Sequence, residues 1–249
     1  MDEFNVVSLF DGMSCLQMAL HEIGIIPTKY YASEIEKAPI KSTMTLFPNT
    51  IQLGDVRFVN GKDLGFVKLL AGGSPCQSFS FAGKRKGMST KDEIEILSLD
   101  HYLELKSQEF EFEGQSYLFW EYIRILNELR EINPDIKFLL ENVEMGKKWQ
   151  KVLTHAIGIE PIKINSALVS AQNRKRNYWT NIYAFPDGFF GDLKCMIPQP
   201  KDLGRLLKDE LETFETSNYQ TKEEFDAYLD KYFLSEKMLK YLNSRKDNF

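Results

Sequence analysis

Cysteine is scarce in this chain: three residues, odd in number and widely spaced, with no Cys-x-x-Cys pair. That argues against a disulfide framework and for reduced thiols in a cytosolic protein. Histidine is equally rare, with three residues and no His-x-x-x-His spacing, so a metal site is not expected. No apolar run reaches the roughly 18 residues a membrane-spanning helix needs. The start, Met1-Asp2-Glu3-Phe4, lacks the basic and apolar regions of a signal peptide. Internal repeats are missing, and so is a Gly-x-Gly-x-x-Gly fingerprint.

What is present suits one sizeable core with room for a small second unit: 249 residues, 43% hydrophobic and 13% aromatic. The formal net charge of −5 is a mild argument against a nucleic-acid partner. Placement matters more than the sum. Lys84-Arg85-Lys86 with Lys91 forms one basic cluster, and Arg174-Lys175-Arg176 forms another. Acids crowd residues 92–113 and the tail. Either basic cluster alone reads as a solvated loop.

Strand-like and helix-like segments alternate. Phe4 to Phe10 reads as a buried strand, Asp11-Gly12-Met13-Ser14 as a turn, and Leu16 to Ile23 as a helix stopping near Gly24. Strands follow at 29–34, 51–53 and 67–71, with a helix near 36–46. Residues 117–132 are helical, with Leu118, Tyr122, Ile125, Leu126 and Leu129 on a shared face. Strands at 136–140, near 162–169 and at 178–183 complete a βα pattern. The expectation is an α/β fold with a doubly wound, mostly parallel sheet. Residues 88–115 interrupt it as a lid, an insertion or a disordered loop. After Pro186 glycines and prolines suggest a linker, and 202–249 is polar and helix-prone.

Three acids follow the first three strands in order. Phe10-Asp11-Gly12 closes the first, Glu34 the second, and Asp55 follows the third. A glycine lets the backbone approach a ligand, an acid after strand two suits ribose hydroxyls, and a third acid can accept from adenine N6. No basic grip for a pyrophosphate accompanies them. The set favours an adenosyl ligand without phosphates, such as S-adenosyl-L-methionine, over NAD. Taken singly, acids at strand ends also serve as helix caps.

The fourth strand runs into Gly72-Gly73 and then Ser74-Pro75-Cys76-Gln77-Ser78-Phe79-Ser80. A thiol is thereby presented at the carboxyl end of a strand, where open α/β sheets place their sites. Residues 138–143 form a second buried strand holding Glu141 near its end. A nucleophilic sulfur and an acid at neighbouring strand ends suggest covalent chemistry. A lone cysteine is more often buried and inert, and Cys15 and Cys195 read that way. A thiol hydrolase needs a histidine base, but His21, His101 and His155 fall in helix or insertion. Trp120 and Trp149 read as packing residues.

These residues, in this order, resemble the cytosine-C5 DNA methyltransferase family, in the de novo-type and bacterial or phage branch. The likeness runs through Phe10-Asp11-Gly12, Glu34, Asp55-Val56, Gly73-Ser74-Pro75-Cys76-Gln77, Ser116-Tyr117-Leu118-Phe119, Glu141-Asn142-Val143 and Gln172-Asn173-Arg174-Lys175-Arg176. It covers about residues 4–185. The resemblance implies a Rossmann-like methyltransferase fold and a restriction-modification or phage setting. It implies cofactor contacts from Phe10, Asp11, Gly12, Met13, Glu34, Ile35, Asp55, Val56, Pro75 and Leu118. Cys76 would be the nucleophile, Glu141 would hold the cytosine edge, and Arg174 and Arg176 would supply positive charge. Gln77, Ser80, Lys84, Arg85, Asn142 and Gln172 would serve the substrate side, Asn142 also bracing the cysteine loop. The implied partner is double-stranded DNA with its cytosine flipped out. A homodimer partner or a complementing C-terminal subunit is a further expectation. The alternatives are an inactive or split-subunit scaffold and an RNA cytosine-C5 methyltransferase.

The chain departs from the family pattern twice. Leu16 stands where the family usually has glycine. Its side chain would lie beside the methionine end of the cofactor or in a helix–sheet contact, and it is expected to weaken cofactor binding. Residues 186–249 also lack the Gly-Asn motif that the resemblance leads one to expect. The expected organisation is a catalytic domain over 1–185 and an incomplete recognition domain over 186–249.

Overall fold

A computed structural model describes residues 3–76, 88–92, 94–168 and 173–182. In chain order it forms β1 (Asn5–Leu9), α1 (Cys15–Glu22), β2 (Lys29–Ser33), α2 (Lys37–Leu46), β3 (Ile51–Gln52) and β4 (Leu69–Gly73). Then come β5 (Ser89–Thr90), α3 (Leu99–Ser107), β6 (Phe112–Glu113), α4 (Phe119–Ile132), β7 (Lys137–Val143), α5 (Lys147–Ile157), β8 (Ile162–Asn165) and β9 (Lys175–Thr180). Seven strands make one sheet in the order β3-β2-β1-β4-β7-β9-β8, while β5 and β6 pair separately. The pairs β1–β2, β1–β4, β2–β3 and β4–β7 are parallel. Strand β9 runs antiparallel to both neighbours. The expected mostly parallel sheet is present, with one reversed strand near its edge.

The order runs outward from β1 in both directions, so a crevice opens at the carboxyl ends of β1 and β4. Alternation along the strands builds a core on each face. Val7, Leu9, Leu70, Phe138 and Leu140 pack in one cluster with Leu126 of α4 and Leu153 of α5. Val6, Tyr30, Ala32 and Leu69 pack in a second cluster with Leu20 of α1. Burying each such large side chain stabilises the fold by about 1.5–3 kcal/mol.

Strand β4 takes in both of its glycines and ends at the second. Gly72 pairs with Leu9 and Leu140, and Gly73 with Glu141. A Cβ on Gly72 would stand 2.9 Å from the Leu9 carbonyl oxygen, closer than a side chain tolerates. A Cβ on Gly73 would meet the Glu141 carboxylate at 3.1 Å. Gly72 is needed for close approach inside the sheet, and Gly73 ends the strand beside Glu141. Strand β9 starts earlier than the sequence suggests, and β8 stops earlier. Helix α5 holds His155, as expected, and buries Trp149, Leu153 and Ile157 at a spacing of four.

Residues 88–115, apart from residue 93, form an ordered insertion of β5, α3 and β6. Ser98 caps α3, its hydroxyl accepting from the His101 N–H at 3.3 Å. Met88, Ile96, Tyr102 and Leu105 are buried beneath an acidic exterior, which is why composition alone read as solvated. The insertion packs on α4, whose buried residues therefore extend beyond the expected stripe to Trp120 and Glu121. Trp120 and Trp149 are both buried, as packing residues should be. Cys15, expected to be buried, is instead exposed at the first residue of α1. Cys195 lies outside the described residues.

The chain divides into two compact units, Met1–Asn165 with Arg174–Ile197, and Ser166–Asn173 with Pro198–Phe249. Nearly all described residues belong to the first. Among the described residues, no helix is long and apolar enough to cross a membrane.

Candidate active site

Strand register builds the thiol side of the crevice. Gly73, at the end of β4, lies opposite Glu141 on β7. The chain then turns through Ser74 and Pro75 to Cys76, which is partly exposed. Asn142, buried on the other face of β7, donates its amide to the Ser74 carbonyl at 3.2 Å and the Ser74 hydroxyl at 2.9 Å. The first turn of the cysteine loop is thereby tied to the neighbouring strand.

Glu141 faces Tyr178 of β9, and Arg176 sits two residues away on the same face, within diagonal reach. The Arg176 Nε meets the Glu141 Oε1 at 2.6 Å, and an Arg174 guanidinium nitrogen lies 3.6 Å from the same oxygen. Arg176 also donates to the Lys175 carbonyl at 2.8 Å, which fixes its direction. Burial, and next to it the Glu141 charge, pushes the Tyr178 phenol above its usual range. Four of the residues singled out in the sequence, Glu141, Asn142, Arg174 and Arg176, thus converge beside the loop that carries Cys76.

The second half of the crevice is a cavity of about 360 Å³. Phe10, Glu34, Ile35, Asp55, Val56, Pro75 and Leu118, all expected at a cofactor, line it. Pro75 forms part of its wall, so the residue bearing the thiol is the next one along the chain. Apolar faces from Phe10, Ile35 and Leu118 combine with the Glu34 and Asp55 carboxylates. That combination of apolar faces and hydrogen-bond acceptors fits a nucleoside, with its flat base and donating hydroxyls.

Asp11, Gly12 and Met13 are not among the lining residues; Asp11 and Gly12 hold the loop's shape instead, while Met13 is exposed. The Gly12 N–H donates to the Glu34 Oε2 at 2.9 Å. The Glu34 Oε1 accepts from the N–H groups of Ile35 and Glu36 at 2.7 and 2.9 Å. The Asp11 carboxylate accepts from the Tyr30 hydroxyl at 2.7 Å and from the Ser14 hydroxyl. Burial, reinforced by Asp11, drives the Tyr30 phenol far above its usual range, so it stays a donor. These bonds hold a strained turn in which Phe10 and Ser14 both adopt left-handed φ values, 57° and 58°.

Arg57 is a cavity residue that the sequence reading missed. Its guanidinium is bidentate on Asp55, with contacts of 2.9 and 2.5 Å to Oδ2. That hydrogen bonding holds the Asp55 carboxyl below its ordinary range. The acid-x-base spacing of Asp55-Val56-Arg57 was the available signal. Tyr117, beside Leu118 in the same motif, also lines the cavity. So do Gly114 and Gln115, which no sequence motif marks.

Leu16 is absent from the cavity lining and packs against the cluster of Val6, Leu20 and Tyr30. The structure thus places it in the helix–sheet contact, the second of its two expected positions. Gln77, Ser80, Lys84, Arg85 and Gln172 lie outside the described residues.

An open α/β sheet with a nucleoside-sized cavity and a thiol at its switch point has the Rossmann-type methyltransferase fold. Solved structures with this fold include two Dnmt2 proteins. The S. pombe Dnmt2 methyltransferase aligns with a TM-score of 0.55 at 15% identity, over 82% of this chain and 58% of that one. A DNMT2 mutant from Spodoptera frugiperda gives a TM-score of 0.50 at 19% identity, over 81% and 57%. Residues 4–100 match the model of the C-5 cytosine-specific DNA methylases. The orphan methyltransferase M.Rho11sI of Bacillus phage rho11s is 40% identical over 117 residues, 46% of this chain and 23% of that protein. M.SPRI of Bacillus phage SPR is 44% identical over 89 residues, 35% and 20% respectively. The matched part of the chain thus spans about a quarter or less of these relatives' length.

Proposed function

We propose that this chain carries the catalytic centre of a DNA (cytosine-5-)-methyltransferase. One observation carries the reading: the Glu141–Arg176 pair sits across a single register step from the loop bearing Cys76, whose Pro75 also walls the nucleoside cavity. An acid, a cation, a thiol and a nucleoside site therefore meet at one strand-end crevice. The match of residues 4–100 to the cytosine-specific methylase model supports the same assignment.

Cytosine C5 is a poor nucleophile until C6 is attacked. Cys76, as thiolate, adds at C6, and the ring becomes an enamine with its electron density on C5. Glu141 faces the N3 edge and the exocyclic amine and supports protonation at N3 as charge builds there. Arg176 orients Glu141, and Arg174 with Arg176 offsets the negative charge on the ring oxygen. Asn142 holds Ser74 and so fixes where the loop starts. The cytosine leaves the DNA stack to reach this crevice. The cavity side fits S-adenosyl-L-methionine, with Glu34 and Asp55 toward the nucleoside and Phe10, Ile35 and Leu118 against its apolar faces. When bound, that cofactor supplies the electrophilic methyl group. Loss of the C5 proton then releases the thiolate.

The proposed catalytic domain is 1–185, with 186–249 as a separate extension. The phage relatives are named orphan methyltransferases, which suits a phage or bacterial modification setting. The test is transfer of labelled methyl groups from S-adenosyl-L-methionine to duplex DNA and to tRNA in parallel. Label on duplex cytosine, as 5-methylcytosine, is expected. Label on tRNA alone would make it an RNA enzyme. No label on either, with a complementing C-terminal subunit supplied, would make it a scaffold.

A further inference from the structure

The insertion of residues 88–115 reaches the nucleoside cavity, and its attachment converges on one buried group. Its return arm supplies Gly114 and Gln115 to the cavity wall, next to Tyr117 and Leu118. Behind that wall, Phe112 stacks on Tyr117 with centroids 4.5 Å apart, and Tyr102 of α3 lies 5.2 Å from Phe112. Below them is Glu121, fully buried on α4. From α3 it accepts the Tyr102 hydroxyl and the Lys106 ammonium, each at 2.5 Å. From its own helix it accepts the Arg124 Nε at 2.7 Å.

Arg124 carries the linkage to the opposite wall. Its remaining nitrogens donate to the Val56 and Val59 carbonyls at 3.3 and 2.8 Å and to Glu128 at 2.6 Å. Glu128 in turn accepts the Gly61 N–H at 2.7 Å. Lys106 also reaches the Arg57 carbonyl at 3.5 Å. Residues 55–57 and 114–118 are two walls of one cavity, and both hang on the same carboxylate. A buried carboxylate is tolerated only with its donors in place, so this geometry is strongly preferred over any with one donor withdrawn.

We propose that the insertion is a structural part of the cofactor site, and that Glu121 is the positioning residue that sets the spacing of its two walls. Cavity occupancy and the seating of α3 are then thermodynamically linked, each stabilising the other. The inference rests on the cavity being the cofactor site.

Glu121→Ala removes a buried charge hub and risks unfolding the domain, so the donors from α3 are the better targets. Lys106→Met and Tyr102→Phe each delete one donor. Lys62→Met, which breaks an exposed ion pair with Glu131 outside the hub, is the reference. The probe is S-adenosylhomocysteine, read by calorimetry and by hydrogen exchange on the full chain. In the wild type, saturating probe is expected to slow exchange across Leu99–Ser107, none of which lines the cavity. Lys106→Met and Tyr102→Phe are expected to weaken probe binding about tenfold, the scale of one charge-assisted hydrogen bond, and to abolish that slowing. Lys62→Met should do neither. Unchanged affinity in both α3 variants, or exchange in α3 indifferent to the probe, overturns the proposal. A wild type that does not bind the probe sinks the cofactor reading. The wall linkage then stands only if Lys106→Met alone speeds exchange at 57–59 and 114–118 in the ligand-free protein, and it falls if that exchange is unchanged.

Discussion

The two halves of the crevice are built on different principles. On the β4–β7–β9 side, the polar groups sit on strands, and register decides who meets whom. Gly73 opposes Glu141, Glu141 opposes Tyr178, and Arg176 lies one diagonal step away. On the β1–β2–β3 side, the groups sit on loops, and hydrogen bonds to loop backbone decide their aim. Glu34 accepts three N–H groups, Asp11 two hydroxyls, and Asp55 is closed around Arg57. The first side is rigid because the sheet is rigid. The second is rigid only while its braces hold. Chemistry and cofactor binding should therefore respond to different substitutions.

The largest expected break falls on the strand side. Arg176→Ala leaves the partly buried Glu141 without its closest cation. We expect methyl transfer to fall about 10- to 100-fold, the scale of one charged hydrogen bond, with cofactor affinity within about twofold of wild type. Single-turnover rates and calorimetric Kd values check it. Equal losses in both would erase the division between the two halves.

Next in size is Leu16→Ala. Its side chain packs on the second core cluster, so thermal or urea unfolding should show a loss of about 1–3 kcal/mol. Cofactor affinity should stay within about threefold. A clear gain in affinity instead would return Leu16 to the methionine end of the site and show that the cavity side is not set by its braces.

The smallest effect concerns pH. Asp55 is held below its usual range chiefly by the Arg57 hydrogen bonds. A carboxyl depressed on folding adds stability above its unfolded value of about 3.9, and that stability is lost as pH falls through the folded value. Arg57→Ala removes the cause of the depression. Asp55 should then titrate at a higher pH than in wild type, and its share of the acid loss of stability should shrink. Carbon-detected titration of the Asp55 carboxyl reads this directly, and an unchanged midpoint would show that Arg57 is not the brace.

Legibility in the sequence followed the same division. The strand side was readable because its signals are local and periodic. Apolar runs mark β4 and β7, with Cys76 and Glu141 near their ends, whereas Arg174 and Arg176 alone read as a solvated loop and reached the site only through the resemblance. On the loop side the order of the acids was visible, but their bonding was not. Asp11 faces Tyr30 because three left-handed residues in five turn the loop, and only one of those three is a glycine. The insertion was the least legible part. Its acids dominate composition, while Met88, Ile96 and Tyr102 are buried through contacts far along the chain. Tyr102 and Lys106 find Glu121 on a helix that begins beyond the insertion's end, and no pattern within residues 88–115 announces that partner.

The central claim is that Cys76 attacks cytosine C6. The direct measurement is intact and peptide mass spectrometry of the protein incubated with duplex DNA containing 5-fluorocytosine and S-adenosyl-L-methionine, the fluorine blocking release. A stable protein–DNA adduct carrying one added methyl group, mapped to Cys76 and absent from Cys76→Ser, is expected. An adduct that persists in Cys76→Ser, or one that maps to Cys15, would contradict it.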